Sequence, residues 1–216
     1  MLNTSNPFRT RNEALKFVLH FIGDIHQPLH TEDLARGGND IPVQFDGHRT
    51  QRTNLHSVWD SSIARKLNGL SFDAHAVEEK PAAVKWAREL AGRLRLAAPS
   101  SSFSSSSQDR EFNSNFLAQE CTDLANPNAC GIEWATESNA IVCSHVLAPG
   151  LDWVKENDLG EGEYYEAAYP VVEMQIGRAG MRLAAWVNAI AAVLANADGD
   201  GGVGKVGEEG IRKEDL

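Results

Sequence analysis

"HFIGDIHQPLH", residues 20 to 30, sets three histidines and an aspartate around a single proline. The residues before it decide the local fold. Leu15, Val18, Leu19 and Ile22 recur at helical spacing, so residues 13 to 26 read as an amphipathic helix. Pro28 has no N–H to donate and restricts the residue before it, which should end or kink that helix near Asp24 to His26. His20 and Asp24, four apart, then share one helix face. "NLHSVWD", residues 54 to 60, repeats the His-x-x-x-Asp spacing with His56 and Asp60. Five of the chain's seven histidines fall between positions 20 and 56.

Between the two clusters, "GGND" at 37–40 is a turn. "IPVQFDGHRTQRT" reads as two short strands around Asp46-Gly47, a common hairpin dipeptide. Asn54 can cap a second helix through "LHSVWDSSIARKLNGL", with Gly69 as its stop. Residues 75–96 form a third helix, with Val77, Val84 and Leu94 among its apolar positions and Pro81 in its first turns. "PSSSFSSSSQ", 99–108, is a Ser-rich insert of low complexity. Residues 131–147 and about 163–196 resume helical patterning, the latter divided or kinked at Pro170. From Asp198 the tail carries too few apolar residues to pack. The expected fold is mainly α with one small β-hairpin, a single domain over 1–197 and a disordered tail over 198–216.

Composition narrows the function classes. The 216 residues carry 30 acidic and 20 basic side chains, a net charge of -10. That balance excludes holding nucleic acid on a broad basic face, but not an enzyme whose positive charge comes from bound metal ions. No continuous run of about 18 apolar residues marks a membrane span, and the first residues lack the apolar stretch of a signal peptide. Asn3-Thr4-Ser5 is a glycosylation sequon. Cys121 and Cys130 bracket "TDLANPNA", a loop that a disulfide can close. Cys143 is left over, either a buried free thiol or a cysteine whose partner lies outside the chain. There is no phosphate-binding glycine loop, nucleophile elbow or Cys-His pair.

Each His-x-x-x-Asp pair can offer an imidazole and a carboxylate to one cation, and zinc takes such ligands three or four at a time. The competing reading is ordinary hydrogen-bonded histidines on half-buried helices. His30, on the far side of Pro28, adds a fifth donor to the two pairs. His26 lies two residues from Asp24 and is expected to support the ligands from behind rather than bind metal. Asn54 is expected to support His56 in the same way. His48 and His75 read as solvent-exposed and His145 as structural. The tryptophans read mostly as core.

"HFIGDIHQPLH" followed by "GGNDIPVQFDGHRTQRTNLHSVWDSSI" resembles the zinc-dependent single-strand nucleases of fungi and plants, relatives of the bacterial zinc phospholipases C. "IEWATESNAIVCSHVL" and "YYEAAYPVVEMQIGRAGMRLAAWVN" are similar to that family's later helices. The resemblance covers residues 13–70 strongly and 131–196 loosely. It implies a helical, monomeric, secreted enzyme with three zinc ions in a cleft. Such an enzyme cuts RNA and single-stranded DNA to 5'-phosphates and often removes 3'-phosphates from nucleotides. By motif, His20 and Asp24 match ligands of one zinc of a close pair, and Asp24, the catalytic carboxylate, also reaches toward the third. His30, His56 and Asp60 match the full protein ligand set of the other zinc of the pair.

The family also has an N-terminal region, opening on a metal-binding tryptophan, that has no counterpart before "NPFRTRNEALKF". The family counterpart of Cys143 is bonded to a cysteine in that region. The expectation is a truncated chain, or a C-terminal segment, that cuts poorly alone. Two other readings stand beside the nuclease: a catalytically inactive metal-binding fragment and a phospholipase C-like phosphodiesterase.

Overall fold

A computed structural model of the chain describes residues 6–96 and 121–199. The sequon, the Ser-rich insert and nearly all of the tail lie outside the described residues. The first helix, α1 (Phe8–Asp24), starts five residues earlier than its apolar pattern suggests, because nothing from Phe8 onward opposes helix until Gly23. It stops at Asp24, and Pro28–Thr31 form a 3-10 turn whose start is capped by Gln27, the Oε1 accepting from the Leu29 N–H at 2.6 Å. Only Ile22 of α1 is buried, while Phe8, Phe17, Leu19 and Phe21 are exposed.

Asn54 opens the second helical run through a reciprocal capping box: its Oδ1 accepts from the Ser57 N–H at 2.8 Å, and the Ser57 hydroxyl oxygen accepts from the Asn54 N–H at 3.1 Å. The run comprises α2 (Leu55–Ser57), a π-helical turn (Val58–Ser62) and α3 (Ile63–Leu67), and Gly69 follows with φ 69°. Leu55, Val58, Trp59 and Ile63 form its buried stripe. Then come α4 (Ala76–Leu96), α5 (Pro127–Ile141), a second π-helical turn (Val142–Val146), α6 (Leu151–Glu156) and α7 (Gly162–Gly199). α7 runs through Pro170 without a break and continues to Gly199, past the expected start of the tail.

The expected hairpin is reduced to its turn. Asp46 and Gly47 adopt φ 53° and 77°, and Phe45 and His48 exchange both backbone bonds, at 3.0 and 2.9 Å. Ile41, Val43 and Phe45 do alternate inward, each no more than 3% exposed. What fails is the ladder. Pro42 has no N–H to give, and Gln44 pairs across to Asp158 rather than with the returning chain, leaving only isolated bridges.

Two apolar clusters hold these elements together. The larger joins the 41–45 segment and the second helical run to Ile141, Val146, Val154, Leu159 and the first half of α7. At its centre the Trp59 indole donates to the Tyr164 hydroxyl at 2.9 Å, and that hydroxyl donates to the Val146 carbonyl at 3.0 Å. The smaller unites Ile22, Cys130, Trp134, Trp186 and Ile190, so the Cys121–Cys130 disulfide closes over the packing of α1, α5 and α7. Cys143 is a free thiol and exposed, which removes the reading that buried it. Trp153, at 38% exposure, departs from the core reading of the tryptophans. By length and composition alone, Gly162–Asn196 of α7 is apolar enough to cross a membrane, at mean hydropathy 1.2. Polar residues interrupt the stretch, so it holds no continuous apolar run.

The turn at 46–47 is tied to the loop before α7 by one carboxylate. Asp158 accepts from the backbone N–H groups of Asp46 (2.7 Å), Gly47 (2.7 Å) and Gly160 (2.8 Å) and from the Gln44 amide (3.1 Å). Burial would raise its pKa, but bonds from Gly47, Gly160, Asp46 and Gln44 together outweigh that and hold it below the ordinary 3.8. Asp158→Ala should therefore cost about 2–3 kcal/mol at neutral pH, since it strands several donors. Because the folded-state pKa is depressed, the carboxylate's contribution is full above 3.8 and is lost as pH falls through the folded value. Urea unfolding of the two proteins should show the gap at pH 7 and its narrowing below pH 3.8.

Candidate metal centre

His30, His56 and Asp60 each bring one ligand atom to a common point, all within 4.8 Å of one another. Three different local structures deliver them. The 3-10 turn after Pro28 carries His30, the first turn after the Asn54 cap carries His56, and Asp60 sits in the π-helical turn. The π turn was not legible in the sequence; the wider winding there redirects side chains, a device often found at functional sites.

His56 is pre-set for a cation. Its Nδ1 lies 2.8 Å from the Gly37 carbonyl oxygen. A carbonyl can only accept, so Nδ1 carries a proton, and in the neutral ring the lone pair is left on Nε2. The His30 ring stacks on that of His56, centroids 4.9 Å apart and nearly parallel. His30 also stands between two carboxylates, with Nε2 at 3.3 Å from Asp60 and Nδ1 at 3.7 Å from Asp24. The hydrogen bond that His30 donates to Asp60 raises the His30 pKa; burial opposes this, and the charges of Asp60 and Asp24 add to the rise. The same bond lowers the pKa of Asp60 against its own burial, with His30, His56 and Gln27 contributing.

The first His-x-x-x-Asp pair also meets. His20 Nε2 lies 3.2 Å from Asp24 Oδ2, and His20 is the most exposed of the five, its side chain 68% accessible. Asp24 thus touches both His20 and His30. Beside these groups opens a cleft of about 330 Å³, bordered by Asp24, Gln27, His30 and Asp60 on its polar side and by Pro28, Val172 and Ile176 on its apolar side.

The two expected supporting residues behave differently. Asn54 acts through its cap, which starts the helix that bears His56. His26 faces away from the cluster, 2% exposed, into α5 and α7. His48 is exposed and stacks on Phe72, and at the third His-x-x-x-acid spacing Glu79 pairs with Arg65 rather than with His75. Missed in the sequence were Gly37, whose carbonyl orients His56, and Gln27, whose amide faces Asp60. "GGND" carried a signal for the first, since a glycine turn is where backbone approaches closely.

Two imidazoles and a carboxylate, one imidazole with its tautomer already selected, suit zinc or a similar borderline cation. Bonds of about 2.0–2.2 Å require the three donors to draw in by roughly 1 Å, within reach of side-chain motion. Fold and cluster together define a helical domain built around a histidine–carboxylate cluster with the donor set for a cation. The profile of the S1/P1 Nuclease family matches residues 1–192, and the chain belongs to that family. It is 38% identical to Nuclease S1 of Aspergillus oryzae over 192 residues, 88% of this chain and 58% of that protein. It is 35% identical to Nuclease P1 of Penicillium citrinum over 183 residues, 82% of this chain and 57% of that protein. It is 31% identical to Endonuclease 2 of Arabidopsis thaliana over 189 residues, 82% and 51% of the two chains. The chain spans a little over half the length of these relatives.

Proposed function

We propose that this chain carries the zinc-binding core of a nuclease that hydrolyses phosphodiester bonds of single-stranded DNA and RNA to 5'-phosphate products, with 3'-nucleotidase activity on nucleotides. The observation that carries the reading is the convergence of His30, His56 and Asp60, flanked by Asp24, at the mouth of a cleft. The relatives named as nucleases support it. The part of the nuclease domain that this chain carries extends over 1–197, and the protein acts as a monomer. The disulfide supports a secreted, extracellular location, where such bonds persist.

His30, His56 and Asp60 would hold one zinc ion. His20 and Asp24 would contribute to a neighbouring one, and Asp24 would also serve a third. Bound zinc supplies Lewis acidity at the scissile phosphate. The chain's own residues do the rest. Gly37 orients His56, Asp24 and Asp60 flank His30 on its two sides, and the apolar wall of the cleft excludes water from one side of the site. With a net charge of -10, the chain needs those cations to draw a polyanion in.

The reading to be separated from it by experiment is a zinc-binding segment that does not cut by itself. His20 and Asp24 make a two-donor pair, and catalytic zinc usually has three protein ligands. Residues 1–216, loaded with zinc, are to be assayed on single-stranded DNA and on phosphatidylcholine, with bound zinc counted per chain. Chelator-sensitive cleavage of DNA with three ions per chain supports the nuclease. One ion and no cleavage supports the non-cutting segment, and turnover of the lipid would overturn both.

A further inference from the structure

Arg182 lies in the middle of α7 and is 6% exposed, a buried guanidinium with no part in the cluster of ligands. Its NH1 donates to His26 Nε2 at 2.8 Å, its NH2 donates to Glu137 Oε2 at 2.6 Å, and its head lies 5.2 Å from the centre of the Trp134 ring. His26 Nδ1 lies 2.7 Å from the Ile22 carbonyl oxygen. A carbonyl only accepts and a guanidinium only donates, so His26 has a single possible form: neutral, protonated on Nδ1, with Nε2 accepting. The backbone is held too. Gln175 Nε2 donates to the His26 carbonyl at 2.8 Å and to the Ser138 hydroxyl at 3.0 Å. Both ends of the His26 residue are therefore pinned to α7.

His26 stands two residues after Asp24 and four before His30, on the short link between the end of α1 and the 3-10 turn. That link is free of regular helix, and its register is set by what grips it. At the far end of the 3-10 turn α5 adds one more tether, Asn139 donating to the Thr31 carbonyl at 2.8 Å. We propose that Arg182 is a positioning residue for the cation site: acting with Gln175 through His26, it sets where Asp24 and His30 stand. The inference rests on the reading of His30, His56 and Asp60 as metal ligands.

The geometry asks for arginine in particular. One planar fork must reach a ring nitrogen on one side and a carboxylate on the other while its face lies on an indole. A lysine ammonium at the same place has the charge but not the fork. Arg182→Lys should therefore weaken zinc binding at the cluster by about 10-fold or more, the scale on which groups behind metal ligands act. His26→Leu should do the same, while His26→Gln, which keeps an acceptor for Arg182, should stay within about 3-fold of the parent.

The measurement is zinc affinity by competition with a chelating dye, with the absorption spectrum of the cobalt-substituted protein as a second readout. Urea unfolding of each variant is run alongside. Ile190→Val, in the same small apolar cluster but away from the link, serves as the stability control. Weakened zinc and a shifted cobalt spectrum in Arg182→Lys and His26→Leu, rescued in His26→Gln and absent in Ile190→Val, supports the proposal. Affinity that merely follows stability across all four variants overturns it. Should Arg182→Lys fail to fold, Gln175→Ala cuts the grip on the His26 carbonyl, leaves the ion pair, and carries the same expectation. A parent protein that binds no zinc, or a His56→Ala protein that binds it as well as the parent, would remove the site itself. That outcome is distinct from a site that binds zinc and ignores Arg182.

Discussion

Replacing His56 by alanine should lower zinc affinity by at least about 100-fold. Structural zinc sites gain roughly 10–16 kcal/mol across about four ligands, so one imidazole is worth on the order of 3 kcal/mol. His56 should lie at the upper end of that range. Its Nδ1 proton is committed to Gly37, so Nε2 pays no tautomer cost on binding, and its ring stacks on that of His30. The change removes one donor and the stacking partner of a second. Competition with a chelating dye at neutral pH reads the effect directly. His48→Ala is the matched control, because His48 is exposed and stacks on Phe72 away from the cluster. Equal losses in the two variants would show that zinc binds to surface histidines without selection.

Gly37→Ala should damage stability and metal binding together. Gly37 has φ 62°, in the left-handed region, where a Cβ costs about 1–2 kcal/mol. That Cβ would also meet the Leu29 carbonyl oxygen at 2.5 Å and the Glu32 carbonyl oxygen at 3.3 Å, with His56 Nδ1 at 3.5 Å. Backbone atoms cannot swing aside as a flexible side chain would, so the 3-10 turn that carries His30 must move. The expected loss is about 3 kcal/mol or more in urea unfolding. Zinc affinity should fall as well, since the displaced turn bears one ligand and Gly37 itself orients another. Gly47→Ala also places a Cβ at positive φ, 77°, but in open space. It should lose stability alone and leave zinc affinity unchanged.

The parts of this protein that were legible in its sequence are those set within a few residues. The apolar recurrence of α1, its stop before Pro28, the Asn54 cap and the Gly69 stop all depend on backbone hydrogen bonds and rotamers that a short window contains. The pairing of His20 with Asp24 followed from helical spacing alone. The Asp46-Gly47 turn was readable for the same reason, because its φ values are a local property. The strands beside it were not, since whether a segment has a ladder depends on what lies across from it. Here Gln44 found Asp158, 114 residues away.

The cluster divides along the same line. The five candidate donors were singled out by spacing and by family resemblance, yet spacing says nothing of His30 standing between Asp24 and Asp60. That arrangement needs α1, the 3-10 turn and the π-helical turn docked at one point, and the docking follows from burying Leu29, Leu55, Val58 and Trp59 in a shared core. Tertiary structure alone also decided the orientation of His56, through a carbonyl 19 residues back, and the form of His26, through a guanidinium 156 residues on. A side chain's tautomer, charge and direction depend on the few atoms within about 3 Å of it. When those atoms come from distant segments, only the folded chain holds the information.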